Sequence, residues 1–399
     1  MNPATNPFAP GAGTRPPELA GRDQIITNAT VVLQRVRAGR PARSQMLLGL
    51  RGVGKTVLLN RIAEIAETEG YLTIVLEAPE GRRLAEMLVP PLRRLLVQLS
   101  RVERVQTRAR KALGVLRAFA SAFKVSIGDV EFGVEAEAGS ADTGHLESDL
   151  PELLLEVAGA GREAERAVAL FIDEAQYLSS DDLAALIVSI HRIGQKGLPF
   201  VVFGAGLPQL AALAGEAKSY AERLFVYPDV GPLDPGAARE AILEPIHREG
   251  VEITDGALEV IVARTHGFPY FLQEWGYHVW EVADQTPIEA DDAEKASVSA
   301  VAALDTGFFR VRMDRLTPRE REYMHAMAEL GPGPHRSGDI ARRLGKAVSA
   351  VAPLRNGLIR KGMIFSPAFG DTAFTVPMFD EFILRSGSDS PRGERPRRA

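Results

Sequence analysis

Apolar residues along the chain alternate between two kinds of run. Short runs rich in β-branched or continuous apolar residues occur at Gln45–Leu48, Tyr71–Glu77, Ala167–Ile172, Pro199–Phe203 and Leu224–Tyr227. Between them lie stretches with apolar residues every three to four positions. These include Ile25, Ile26, Ala29, Val32, Leu33 and Val36; Lys55 to Glu69; Leu84, Met87, Leu88, Leu92, Leu95, Leu96 and Leu99; 148–161; and Asp181 to Arg192. The short runs predict buried strands and the periodic stretches predict helices packed on them. Strands alternating with helices imply a parallel sheet covered on both faces, an α/β fold. Gly70 suits the left-handed residue that closes the helix from Lys55. Pro228, Pro232 and Pro235 punctuate the end of this region.

From Pro235 to about Ala303 the pattern is helical only, interrupted at Gly250, Gly267-Phe268-Pro269 and Pro287. Phe268, Tyr270, Phe271, Trp275, Tyr277 and Trp280 recur at helical spacing, which predicts the core of a small helical domain. Thr317-Pro318 opens a further helix, with Thr as cap and Pro at its first position. Ser337–Leu344 and Ser349–Lys361 follow as a pair of helices. Met363–Ser366 and Thr372–Val376 pair as strands across Gly370-Asp371. Helix, helix-turn-helix and hairpin make a winged helix-turn-helix. The expected domains are a mobile tail over 1–17, an α/β core over 18–230, a helical lid over 231–309, a winged helix over 310–385 and a disordered tail over 386–399. Residues 101–146 read as an insertion in the core. It holds a basic helix (Arg101, Arg104, Arg108, Arg110, Lys111, Arg117) and a hairpin over Lys124–Glu135, turning at Gly128-Asp129.

Composition removes several chemistries. The 399 residues contain no cysteine, which excludes disulfides, thiolate zinc sites and thiol nucleophiles. The first residues lack the basic-then-apolar order of a signal peptide, and no apolar run is long enough for a membrane span, so the cytoplasm is the expected location and no membrane partner is expected. The net charge of −5 is unevenly spread. Residues 310–399 carry 17 Lys+Arg against 10 Asp+Glu, whereas 229–309 carry 4 against 16. Only the C-terminal end therefore suits a polyanion.

The candidate chemistry lies where the first strand meets its helix. Gly49-Leu-Arg-Gly52-Val-Gly54-Lys55-Thr56 is G-x-x-x-x-G-K-T between a strand and a helix, the P-loop arrangement. Glycines allow the backbone to wrap phosphate oxygens, and the loop N–H groups and helix N-terminus face that anion. Gly49, Arg51, Gly52, Val53, Gly54, Lys55, Thr56 and Val57 are the expected ATP or ADP contacts. Lys55 reaches the β- and γ-phosphates and the Thr56 hydroxyl ligates Mg²⁺. The apolar run ending Ile172-Asp173-Glu174 is a Walker B pattern. Asp173 then holds Mg²⁺ through its outer shell and Glu174 orients and deprotonates the attacking water.

Gly21-Arg22-Asp23 ahead of the P-loop, Phe171-Ile-Asp-Glu-Ala-Gln176, a helical lid and a C-terminal winged helix resemble the AAA+ replication-initiator (origin-recognition) ATPases, and equally the related STAND-type signalling ATPases. The resemblance covers about residues 16–385. It implies a five-stranded sheet in the order 5-1-4-3-2, adenine held near Pro17, Gly21 and Arg22, and a nucleotide sandwiched between core and lid. Two features depart from the initiators. Gly204-Ala-Gly206 follows the strand at which they carry a polar sensor. Gly267-Phe-Pro269 opens the lid helix where they carry a sensor arginine, which is closer to the Gly-x-Pro of STAND proteins and makes Pro269 a nucleotide contact. Both departures imply a slow switch rather than a motor. Arg223 matches the position of an AAA+ arginine finger, which completes a neighbouring subunit's site and implies self-association through the core.

In the winged helix, Ser349, Arg355, Asn356, Arg360 and Lys361 are the expected base or backbone contacts to duplex DNA, with phosphate contacts from Arg342, Arg343 and Lys346. Two functions follow. One is a slow ATP-hydrolysing AAA+ switch, stimulated by self-association or DNA, that binds DNA through the winged helix. The other is a STAND-like signalling or defence switch whose winged helix meets a protein partner.

Overall fold

The computed structural model describes residues 1–11, 13, 14, 16–125 and 134–388. They divide into two compact units. The first comprises Arg22–Gly49 and Lys55–Val230; the second comprises Met1–Gly21, Leu50–Gly54 and Gly231–Ala399. Among the described residues no helix is long and apolar enough to cross a membrane.

In the first unit the elements run α1 (Asp23–Arg37), β1 (Ser44–Leu48), α2 (Lys55–Thr68), β2 (Leu72–Glu77), α3 (Leu84–Leu99), α4 (Gln106–Ala122), α5 (Leu146–Glu163), β3 (Val168–Asp173), α6 (Ser180–Gln195), β4 (Phe200–Gly206), α7 (Leu210–Ala217), α8 (Ala221–Leu224) and β5 (Phe225–Val226). The five strands are parallel in the order β2-β3-β4-β1-β5, which is the expected 5-1-4-3-2 read from the other edge. Alternate residues of β3 serve opposite faces, as the period of a strand requires. Val168, Leu170 and Ile172 join one apolar cluster with Leu88, Leu92, Leu153 and Leu186 from α3, α5 and α6. Phe171 stacks on Phe203, with ring centroids 5.3 Å apart. β3 and β4, in the middle of the sheet, are buried on both faces, which is why they read as continuous apolar runs, whereas β2 at the edge exposes Val75 and Glu77.

The segment expected as an insertion contributes α4 to this core. Ala112, Leu113, Val115, Leu116 and Phe119 are buried in it. Three of the six basic positions find carboxylates: Arg108 and Lys111 lie 3.1 and 3.2 Å from Glu156, and Arg104 lies 2.7 Å from Glu165. The turn of the expected hairpin, at Gly128-Asp129, lies outside the described residues.

In the second unit, α9 (Pro235–Arg248), α10 (Asp255–Thr265), α11 (Pro269–Val282) and α12 (Ala290–Ala303) form the helical part. A π-helical turn (Leu304–Phe309) and α13 (Arg310–Asp314) lead to α14 (Pro318–Ala328), β6 (His335–Arg336), α15 (Ser337–Arg343), α16 (Val348–Arg360), β7 (Ile364–Phe365), β8 (Asp371–Phe374) and α17 (Phe379–Ser388). Strands β6, β8 and β7 make an antiparallel sheet in that order. The start of α14 is closed by a reciprocal capping box between Thr317 and Glu320. Phe271, Trp275 and Trp280 are buried on α11, as the aromatic spacing predicts. Helix α17 extends through Ser388, so the tail expected from 386 begins helical; residues 389–399 lie outside the described residues.

The mobile tail expected over 1–17 is instead packed where it is described. Phe8 is buried, Trp280 Nε1 donates to the Asn2 carbonyl at 2.9 Å, and the Asn6 amide donates to the Tyr277 carbonyl at 3.1 Å. A Cβ added at Gly276 would lie 2.6 Å from the Phe8 ring, so this glycine opens the slot the ring fills. Phe8→Ala empties that slot and lowers unfolding free energy by about 3 kcal/mol. Denaturant unfolding of the full chain measures it; a change within experimental error means that the segment contributes no packing energy.

Candidate functional site

β1 ends at Leu48 and the chain turns through Gly49–Gly54 into α2. The Gly49 N–H donates to the Gly206 carbonyl at 3.2 Å, tying the start of the loop to the end of β4. Gly52 and Gly54 have φ of 85° and 88°, a region that costs any other residue energy. A Cβ at Gly54 would meet nothing within 4 Å, so the backbone conformation, not crowding, requires glycine there. Val53 is buried, and Lys55 is 8% exposed at the first position of α2. Arg51 and Val57 are half-buried. In the second unit the Arg51 N–H donates to the Thr375 carbonyl and the Tyr270 N–H donates to the Gly52 carbonyl, both at 3.0 Å. Pro269, at the first position of α11, directly precedes that Tyr270 donor.

β3 delivers Asp173 to the same end of the sheet, where the Thr56 hydroxyl donates to Asp173 Oδ2 at 2.6 Å. Burial raises the Asp173 carboxyl above its usual range, opposed by the hydrogen bond from Thr56. A hydroxyl and a carboxylate side by side form a donor set that fits Mg²⁺, which takes oxygen ligands and completes its shell from phosphate and water. Among the described residues no group of three or more His, Asp or Glu could hold a metal by itself. The chemistry of the site therefore fits a cation that arrives with phosphate oxygens. Glu174 follows in the left-handed region at φ 52°, its N–H bonded to Asp173 Oδ1 at 2.8 Å.

Other predicted residues are scattered. Arg223 is exposed on α8 and makes no ion pair with any described residue. Gly21 has φ 67°, and a Cβ there would lie 2.8 Å from Ala237. The Pro17 carbonyl accepts from Arg248 at 3.1 Å. Arg22 is buried, with its guanidinium pKa lowered by desolvation and partly restored by Asp229.

The expected DNA contacts divide into two sets. Ser349, Asn356 and Arg360 are exposed and line one groove along α16 with Ala352 and Pro353. Arg355 is half-buried and its guanidinium is engaged within the unit rather than offered to a base. Its guanidinium donates to Thr372 Oγ1 at 2.9 Å, Ser366 Oγ at 2.8 Å and the Asp371 carbonyl at 2.9 Å. Arg342 pairs with Asp339 at 2.9 Å, Arg343 with Glu329 at 2.6 Å, Lys346 with Glu322 at 3.7 Å and Lys361 with Glu320 at 2.7 Å.

Gln176, the last residue of the 171–176 run, has a partner on each side. Its Oε1 accepts from the Leu207 N–H at 3.0 Å and its amide group donates to the Glu174 carboxylate. The glycines Gly204 and Gly206 were the available signal, because a strand end without side chains leaves room for one from elsewhere. A second feature escaped entirely. Arg312 lies 3.8 Å above the Phe308 ring, and Phe308 stacks on Tyr270 at 4.8 Å. Tyr270 in turn donates to Glu274 at 3.0 Å.

The loop, the Thr56–Asp173 pair and the five-stranded order together describe a P-loop nucleotide site. Residues 18–203 match the AAA ATPase domain family. That match ends within β4, and a separate match to a domain of unknown function (DUF8462) spans residues 306–383. No curated protein matches the chain. Among solved structures, the Walker-type ATPase Paby2304 of Pyrococcus abyssi aligns with a TM-score of 0.58 at 18% identity, covering 93% of this chain and 97% of that one. The ORC2 protein of Aeropyrum pernix, solved as ADPNP-ADP complexes, aligns with a TM-score of 0.52 at 13% identity, covering 95% and 98%. At such identities the likeness is one of fold.

Proposed function

We propose that this protein is an ATP-binding, slowly ATP-hydrolysing AAA+ switch of the cytoplasm that binds duplex DNA through a C-terminal winged helix. The observation that carries the ATPase half is the Thr56–Asp173 contact with Glu174 next in the chain. Gly49–Val57 wraps the phosphates and Lys55 binds the β- and γ-oxygens. Thr56 and, through its outer shell, Asp173 would hold Mg²⁺, whose role when bound is to neutralise phosphate charge. Glu174 takes a proton from water as the water oxygen bonds to the γ-phosphorus. The bond from that phosphorus to the bridging oxygen breaks, and ADP and phosphate leave. Pro17, Gly21, Arg22 and Pro269 are the proposed nucleoside contacts. The end of β4 brings no polar side chain and the start of α11 no arginine, which supports slow turnover. The exposure of Arg223 supports its role as a finger to a second copy of the chain.

The DNA half rests on α16. Its exposed Ser349, Asn356 and Arg360 lie along one groove, and Phe369, between β7 and β8, is fully exposed. Asn and Arg suit base edges, and an exposed apolar tip suits the minor groove. Exposed ion pairs such as Arg342–Asp339 are worth little and can yield to phosphate. A second reading, in which this module contacts a protein as in STAND-type switches, is favoured by the pairing of Arg342, Arg343, Lys346 and Lys361 with carboxylates. A salt titration of duplex binding by the full chain separates the two. A footprint of about four phosphates gives a log–log slope near −3.6, and Arg360→Ala shallows it by about 0.9. No duplex binding at low salt selects the protein partner.

A further inference from the structure

The end of β4 is built to receive a side chain from another element. Gly206 carries no positive φ, so its backbone does not demand glycine. Space does: a Cβ there would lie 2.7 Å from Gln176 Oε1 and 2.9 Å from Leu210 Cδ2. The slot left by the missing side chain holds the Gln176 carboxamide, which is 9% exposed. The orientation of that amide follows from its partners. The Leu207 N–H can only donate, so the group facing it at 3.0 Å is Oε1, and the NH₂ must face the Glu174 carboxylate, which accepts. A backbone donor on one side and a carboxylate on the other leave no alternative flip.

Gln176 therefore links two parts of the site. On one side is the carboxylate placed to take a proton from water. On the other is the backbone just beyond Gly206, whose carbonyl accepts from the Gly49 N–H at the start of the phosphate loop. A chain of hydrogen bonds thus runs from the loop through Gly206 and Leu207 to Gln176 and Glu174. A glutamate side chain has three rotatable bonds, and in a strained left-handed turn it needs an external partner to hold one of its rotamers.

We propose that Gln176 is the positioning residue for Glu174, fixing the carboxylate in its water-activating orientation and coupling that orientation to the phosphate loop through the end of β4. This role rests on the hydrolysis reading. It predicts that the rate of the chemical step depends on Gln176 while nucleotide affinity does not, because Gln176 touches the base and not the phosphate loop's ligand.

The test measures steady-state ATP hydrolysis, affinity for a non-hydrolysable ATP analogue, thermal melting and hydrogen exchange of the Leu207 amide in the full chain. Gln176→Leu fills much of the slot with an apolar side chain one atom shorter and removes both polar functions. Expected are a kcat lower by about 10- to 100-fold, the loss that a misplaced catalytic group produces, with analogue affinity within twofold of wild type. The Leu207 amide exchanges about 3- to 10-fold faster, having lost its acceptor. Gly206→Ala provides an independent arm. Its methyl displaces the ends of Gln176 and Leu210, both side-chain tips that can move, and reproduces the kcat loss without altering Gln176 itself. Gln176→Asn, one methylene short, reaches only one partner and falls between. Unchanged or raised kcat in Gln176→Leu overturns the proposal, as does a kcat loss matched by an equal loss of analogue affinity. Wild-type protein that binds the analogue but shows no turnover removes the hydrolysis reading and this role together. Wild-type turnover that Gln176→Leu leaves intact removes the role alone. Should Gln176→Leu melt below the assay temperature, Gly206→Ala decides on the same criteria.

Discussion

Replacing Lys55 by Ala removes nucleotide binding. Lys55 begins α2 at the close of a loop whose glycines hold positive φ, with its side chain almost wholly shielded from solvent. A buried ammonium loses hydration, and an anion placed against it offsets that loss. A charge-assisted bond to a phosphate is worth about 1.5–3 kcal/mol, and in the proposed role Lys55 bonds two phosphates, so its loss weakens binding by about 100-fold or more. Methylene for methylene the loop itself is untouched, because Gly52 and Gly54 set its course independently of that side chain. The measurement is titration with ATP or ADP in the presence of Mg²⁺, backed by melting. Wild-type protein gains stability with ligand concentration, and Lys55→Ala shows no such gain at concentrations that saturate the wild type. Equal affinities in the two proteins would remove the phosphate role from this loop.

Glu174→Gln produces the second large effect, and it is the complement of the first. The amide has the shape of the carboxylate and the same reach from the left-handed turn at φ 52°. It cannot accept a proton from water, so turnover falls by about 10²- to 10⁴-fold while binding persists. Thr56 and Asp173, 2.6 Å apart, are unaltered, so the cation pair is intact and the ATP-bound state accumulates. Arg223→Ala fails differently, losing a group that acts on a neighbouring copy. Mixed with Glu174→Gln, it supplies intact carboxylates while the partner variant supplies intact arginines. Partial recovery of phosphate release on mixing supports the finger and self-association; specific activity independent of protein concentration, with Arg223→Ala fully active, excludes both.

Much of this site is legible in the sequence because it is local. The phosphate loop is a run of adjacent residues whose glycines are dictated by backbone angles at those positions. Asp173 and Glu174 are adjacent and end a strand whose apolar run announces its burial. The strands and most helices follow from periodicity, since a strand buried on both faces leaves a continuous apolar run and a helix packed on one side leaves a stripe. Element ends were less secure. The C-terminal helix through Ser388 starts with the apolar residues Phe379, Phe382, Ile383 and Leu384 at helical spacing, but continues into small polar residues that read as tail.

What the sequence by itself determined, then, is the loop, the carboxylate pair and the alternation of strand and helix. Tertiary structure alone decided which side chains those elements lend to each other. Arg355 and Asn356 are neighbours of equal promise for DNA. Only the return of the chain at Ser366 and Thr372 shows that the first is consumed by the hairpin and the second is not. Phe8 stands among prolines and small residues with no periodic partner, and Gly276 makes its pocket from far along the chain. Gln176 meets Leu207 across 31 positions, through a gap that exists because Gly206 has no side chain. Backbone preference and burial act over a few residues and leave a pattern there. A hydrogen bond between distant side chains depends on where the folded chain brings their atoms within about 3 Å, and no local pattern encodes that distance.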